Sequence, residues 1–180
     1  MTLPLTLNPP CRPGPIAALW CDARRGDATL MAFAALLLAL LLPMALGLAL
    51  DERTLRGVNV WVKPMKFALS LAVLAWTTAY FARHVDAARS RSLAVVRWTL
   101  IGAAAFEFGY ITLQAAIGEG SHYNIGDALH GTLYKLMGVG AVLLTATQAR
   151  LAWLVARHAR PGLDPAYRLR VVIGLAFAFV

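Results

Sequence analysis

At 180 residues the chain has the length of one ordinary soluble domain, yet 59% of it is apolar, only 14% is charged and the mean hydropathy is +0.64. That composition excludes a typical globular surface. Seventeen basic residues against nine acidic ones give a formal charge of +8. In a soluble protein this would suggest nucleic acid. Here the arginines flank apolar blocks, as cytoplasmic loops require, and no basic face interleaved with aromatics exists to follow a phosphate backbone. No nucleic-acid partner is expected; the bilayer is.

Residues 1–27 carry five prolines and no sustained periodicity, which predicts an irregular, cytoplasmic N-terminal tail. Its Cys11 and Cys21 lack CxxC or Cys/His spacing, so two unpaired thiols are expected. The apolar blocks that follow each approach the roughly 20 residues needed to cross about 30 Å of hydrocarbon. They predict an all-α polytopic membrane helix bundle over residues 28–180, with transmembrane helices at about 28–50, 64–81, 97–117 and 126–149. Pro43 is expected to kink the first. The apolar run 171–180 covers about 15 Å, half a crossing, and reads as a partial fifth helix in which the chain stops short.

Basic residues crowd the tail and the second and fourth connections and are absent from 118–127. By the positive-inside rule, the N-terminus and those two connections face the cytoplasm, which fits a cell (inner) membrane protein. The first connection breaks the pattern, with Arg53, Arg56, Lys63 and Lys66 on the expected outer side. Only three of the seventeen basic residues are lysines, Lys63, Lys66 and Lys135, and none lies in the cytoplasmic flanks. One reading makes Lys63 and Lys66 snorkel to outer headgroups. The other places them at a ligand site.

On the second transmembrane helix Lys63, Lys66, Ser70 and Thr77 fall on one polar stripe, expected to face protein. On the third, Glu107 sits about 15 Å beyond Arg97, near the bilayer midplane, and Tyr110 and Gln114 continue its face. A carboxylate there costs about 3 kcal/mol or more unless it has a partner or a proton. Lys135, about 12 Å into the fourth helix from Asp127, matches that depth and is the expected ion-pair partner, with Lys66 competing. Gly131, Gly138 and Ala141 are expected to let the helices approach closely.

The connection GEGSHYNIGD adds Ser121, His122 and Asn124 to the candidate ligand-binding set. His122, Asp127 and His130 match no strong metal template, so no metal is expected. Haem needs two well-placed histidines, and only His130 lies near a helix interior; no cofactor is expected.

The segments GVNVWVKPMKF (Gly57–Phe67) and EFGYITLQAAIGEGSHYN (Glu107–Asn124) resemble signature segments of a group of uncharacterised bacterial multi-pass integral membrane proteins. The resemblance covers about residues 50–150 and implies a bacterial membrane protein. It supplies no activity or catalytic residue to transfer.

Three functional classes follow. The leading one is a small-solute carrier or ligand-binding membrane protein, with an outward-facing polar site that takes a small anionic ligand and with Glu107 available for proton coupling. The second is an intramembrane enzyme acting on lipid or isoprenoid groups, with His122 as general base. The third is a structural or assembly subunit of a membrane complex.

Overall fold

The computed structural model describes residues 14–121 and 127–177. It is a polytopic all-α bundle: α1 (Pro15–Gly26), α2 (Ala28–Leu50), α3 (Val62–Ala82), α4 (Ser90–Ile117), α5 (Ala128–Arg157) and α6 (Pro165–Phe177). A short hairpin, β1 (Thr54–Leu55) and β2 (Val58–Asn59), joins α2 to α3. Among the described residues four helices, α2 to α5, are long and apolar enough to cross a membrane. Their outer faces carry Leu36, Leu42, Leu69, Val73, Leu113, Val139 and Val142, exposed apolar groups suited to hydrocarbon rather than water.

α3 is the hub. Its inward face, Ala68, Leu71, Ala72, Ala75, Ala79 and Ala82, is nearly all alanine and buried. Small side chains at helical spacing let backbones approach closely, which gains dispersion contacts where no hydrophobic drive exists between helices in lipid. Leu30, Met31, Ala34 and Leu37 of α2 and Leu100, Ala103 and Ala104 of α4 share a core cluster with that face. One buried polar pair joins α5 to α3: the Gln148 Nε2 donates to the Thr78 Oγ at 3.0 Å, and the Thr78 hydroxyl donates to the Leu74 carbonyl.

The irregular tail expected before residue 28 gives way to a helix. Pro15 suits the first turn of α1, where its missing N–H is no loss. Counting prolines hid this helix, because they lie ahead of it or at its start. α1 docks on α3 through Trp20, edge-on to Trp76 at 5.4 Å, and through Gly26, where an added methyl would meet the Ala79 carbonyl. Cys21 on α1 is disulfide-bonded, against the expectation of a free thiol; Cys11 lies outside the described residues. Disulfide formation depends on an approach of about 4–7 Å between Cα atoms, which spacing in sequence does not report.

Asp27 links three elements. Its Oδ1 accepts from the Thr29 and Leu30 amides and caps α2, while Oδ2 accepts from Arg97 Nη1 of α4 at 3.1 Å. At the same end, Arg83 pairs with Asp22 at 2.6 Å, and Val85 bridges Ala159 in an antiparallel backbone contact that ties the α3–α4 connection to the α5–α6 connection. Pro43 lies within an unbroken α2. The expected helices at 64–81, 97–117 and 126–149 all run longer, because their polar flanks contain no breaker and continue the helix beyond the apolar run.

Two predictions follow from this end of the bundle. Asp27→Ala removes both the cap and the ion pair and should cost about 1–3 kcal/mol, whereas Asp27→Asn keeps an acceptor for the cap and should cost less. Thermal unfolding in detergent micelles reads the difference. Burial first, then the Arg83 and Arg160 guanidiniums, push the His84 imidazole below its ordinary value, with Asp22 opposing. The folded chain therefore binds this proton less readily than the unfolded one. Stability is untouched well above about pH 6.5 and falls as the pH drops through that value. Between pH 7.5 and 5.5 the wild type should lose more thermal stability than His84→Gln.

Candidate functional site

The opposite end of the bundle is closed by the hairpin. TLRGVN turns tightly because Arg56 and Gly57 both adopt positive φ, 55° and 79°, the geometry a two-residue hairpin loop demands. Asp51 anchors it. Its carboxylate accepts from Arg53 Nε at 2.9 Å and Nη2 at 2.7 Å and from Trp61 Nε1 at 2.9 Å. The Arg53 fork, then the Trp61 indole, holds this carboxyl well below the usual carboxylate range. Arg53 Nη2 also donates to the Ala116 carbonyl, placing a cation at the C-terminus of α4. The Asn59 side chain donates to the Asp51 carbonyl and accepts from the Trp61 amide, and the Trp61 ring covers Gly47 of α2. In the Gly57–Phe67 segment, Asn59 and Trp61 therefore hold the hairpin.

Beneath the hairpin lies a cavity of about 820 Å³. Its apolar wall comes from Leu55, Val58, Val60, Phe67, Ile111 and Ala115; its cations are Arg56, Lys63 and Lys66. Lys63 donates to the Ser121 hydroxyl, which fixes the start of the α4–α5 connection, just beyond α4, over the start of α3. Arg56 and Lys66 make no hydrogen bond or ion pair among the described residues, and both are exposed. The acids at the rim are engaged with one imidazole. His130 Nδ1 lies 2.6 Å from Asp127 Oδ2, and Nε2 lies 3.2 Å from Glu119 Oε2. Hydrogen bonds from the His130 backbone and ring hold the Asp127 carboxyl below its ordinary value. The result is an amphipathic chamber in which Arg56 and Lys66 carry charge with no hydrogen bond or ion pair among the described residues.

Of the residues singled out from sequence, Lys63, Lys66 and Ser121 come together on this cavity. His122 and Asn124 lie outside the described residues. Tyr110 and Gln114 are buried on α4 and are not part of its wall; Gln114 Nε2 donates to the Tyr110 hydroxyl at 3.1 Å and to the Gly120 carbonyl at 3.3 Å, which braces the connection from below.

The expected Glu107–Lys135 ion pair does not form. Glu107 is buried at 5% exposure against Gly140 of α5, where a methyl would stand 2.7 Å from its Oε1, and that oxygen has no hydrogen-bond partner among the described residues. Lys135 is five residues closer to the connection, about 7.5 Å along the axis, and its side chain is exposed. Counting depth from helix ends ignored the axial register that packing sets. Gly140, and not Gly131 or Gly138, is the glycine at the close approach.

The polar stripe is corrected as well. Lys66, Ser70 and Thr77 are exposed, and the Thr77 hydroxyl donates back to its own helix at the Val73 and Leu74 carbonyls. The alanine face packs inward, so the stripe is turned out. Arg56 was missed as a site residue. An Arg-Gly pair between short apolar runs was the available signal, since it marks a hairpin whose turn residue overhangs the next helix.

The chain matches no protein-family profile, no curated protein and no solved structure. Fold and site together define a polytopic all-α membrane protein with a basic, apolar-walled cavity at one end.

With no charge pair between them, Glu107→Gln and Lys135→Met should behave independently. Their double-mutant cycle in detergent unfolding should give a coupling below about 0.5 kcal/mol. Gly140→Ala, which crowds the Glu107 side chain, should cost about 1–3 kcal/mol.

Proposed function

We propose that this is a ligand-binding protein of a bacterial inner membrane, of the group its Gly57–Phe67 and Glu107–Asn124 segments resemble, and that it takes a small anionic amphiphile into the hairpin-side cavity. The cavity lies at the hairpin end, opposite the arginine-rich end that runs from Arg24 to Arg170. The observation that carries the proposal is the pairing of uncommitted cations, Arg56 and Lys66, with an apolar wall in one chamber of about 820 Å³. An anionic head, a carboxylate in the simplest case, meets the cations where the low dielectric of the wall strengthens the attraction. An alkyl or isoprenoid body of modest length covers Val58, Phe67 and Ile111. A neutral or cationic head gains nothing from the rim and leaves the guanidinium and ammonium unpaired.

Titration of detergent-purified protein with decanoate, decanol and decylamine, read by native mass spectrometry, tests this. Decanoate should bind, with decanol and decylamine at least tenfold weaker. Arg56→Asn, which tolerates the positive φ, combined with Lys66→Met should weaken decanoate about tenfold or more, or about 1.4 kcal/mol, without changing thermal stability in the absence of ligand. Equal binding of decylamine, or undiminished decanoate binding by the double variant, would overturn the reading.

A further inference from the structure

A second cavity, of about 670 Å³, opens at the other end of the bundle, where α1, the end of α3 and the α5–α6 connection converge. It is unrelated to the hairpin-side chamber. Arg25, Arg83, His84 and Arg160 line it, Asp22 is the only carboxylate among the described residues that do, and Ala82, Val85, Ala87, Leu93 and Leu163 form an apolar floor.

Three guanidiniums thus face one acid. Asp22 is already committed, at 2.6 Å to Arg83 Nη1 and 3.7 Å to Arg25 Nη1. Arg83 is committed too: beyond Asp22 it donates to the Tyr80 hydroxyl at 3.0 Å and covers the Tyr80 ring at 4.2 Å. Arg25 and Arg160 are exposed and keep most of their donors, since the only hydrogen bond of the Arg160 side chain among the described residues is a long one, 3.4 Å, to the Arg83 carbonyl. Among the described residues that line the cavity, positive charges therefore outnumber negative ones by two, and Arg25 shares its one acid with Arg83. The depressed affinity of the buried His84 for a proton, caused in part by Arg83 and Arg160, reports the same positive field.

Position narrows the ligand. The cavity sits where helices leave the hydrocarbon: α1 lies beside it with Ile16 and Leu19 exposed. Guanidinium forks match the tetrahedral oxygens of a phosphate and bind them bidentately, and clusters of basic side chains between helices at a membrane surface suit acidic headgroups. We propose that Arg25 and Arg160 together form an anion site for a phosphate group, supplied by an acidic phospholipid of the adjacent leaflet, with the acyl region lying over the apolar floor and α1.

The test uses the whole chain in detergent, with and without added dioleoyl phosphatidylglycerol, dioleoyl phosphatidylcholine or inorganic phosphate, reading bound lipid by native mass spectrometry and stability by thermal unfolding. Phosphatidylglycerol should bind at least fivefold tighter than phosphatidylcholine and raise the midpoint temperature. Arg25→Gln with Arg160→Gln should erase that preference. Asp22→Asn, which removes the competing carboxylate and frees Arg83, should strengthen phosphatidylglycerol binding severalfold, an outcome that general misfolding does not produce. A midpoint rise with inorganic phosphate alone, lost in the Arg25/Arg160 variant, would keep the phosphate site but reassign its source to a soluble phosphate. Equal retention of the two lipids with no effect of phosphate, or an unchanged lipid preference in the Arg25/Arg160 variant, would overturn the proposal. So would weaker phosphatidylglycerol binding by a stably folded Asp22→Asn variant.

Discussion

The alanine face of α3 is the constraint on which the rest of the bundle depends. In hydrocarbon, apolar helices gain little by leaving lipid for one another, so association rests on how closely their backbones can approach. Ala68, Ala72, Ala75 and Ala79 let α3 contact α1, α2, α4 and α5. Once that face is committed inward, the opposite face of α3 is fixed as well, which is why Lys66, Ser70 and Thr77 point outward and why Lys66 reaches the cavity rim instead of the bundle interior. α2 makes the contrast plain. It is the most apolar of the four spans and the least buried, a helix that needs no distinct polar face because most of its surface meets lipid.

The same economy governs the polar interior. Thr78 and Gln148 satisfy one another across α3 and α5, and Gln114 joins Tyr110 to the Gly120 carbonyl. Glu107 departs from this pattern: its side chain fits because Gly140 has none, and shape, not charge, holds it there. The contact fixes the axial register of α4 against α5, with the carboxyl as knob and the glycine as hole.

The two ends of the bundle differ in how they treat charge. At the hairpin end, acids are consumed locally: Asp51 by Arg53 and Trp61, Asp127 and Glu119 by His130. Arg56 and Lys66 are left facing a chamber. At the other end, Asp22 and Asp27 are spent on holding α1 and α2 against α3 and α4, and the surplus arginines surround a second cavity. In both places the excess of basic over acidic residues that stands out in the composition is left lining a cavity after the structural ion pairs have taken their share.

The sequence by itself determined the class of fold and the spans. Helix formation in a membrane is local, since every backbone group must be satisfied within its own segment, so the length of an apolar run suffices; α2 coincides with the expected 28–50. It also brought Lys63, Lys66 and the Ser121 connection to one end, because antiparallel crossings with short connections leave little choice. Tertiary structure decided what depends on rotation and register. Depth along a helix placed Glu107 and Lys135 level with each other, but side-chain packing slid Gly140 opposite Glu107 and turned Lys135 outward. The docking of α1, the overhang of Arg56 and the convergence of Arg25, Arg83 and Arg160 from three separate segments are long-range outcomes, set by which faces pack, and no periodicity within any one segment encodes them.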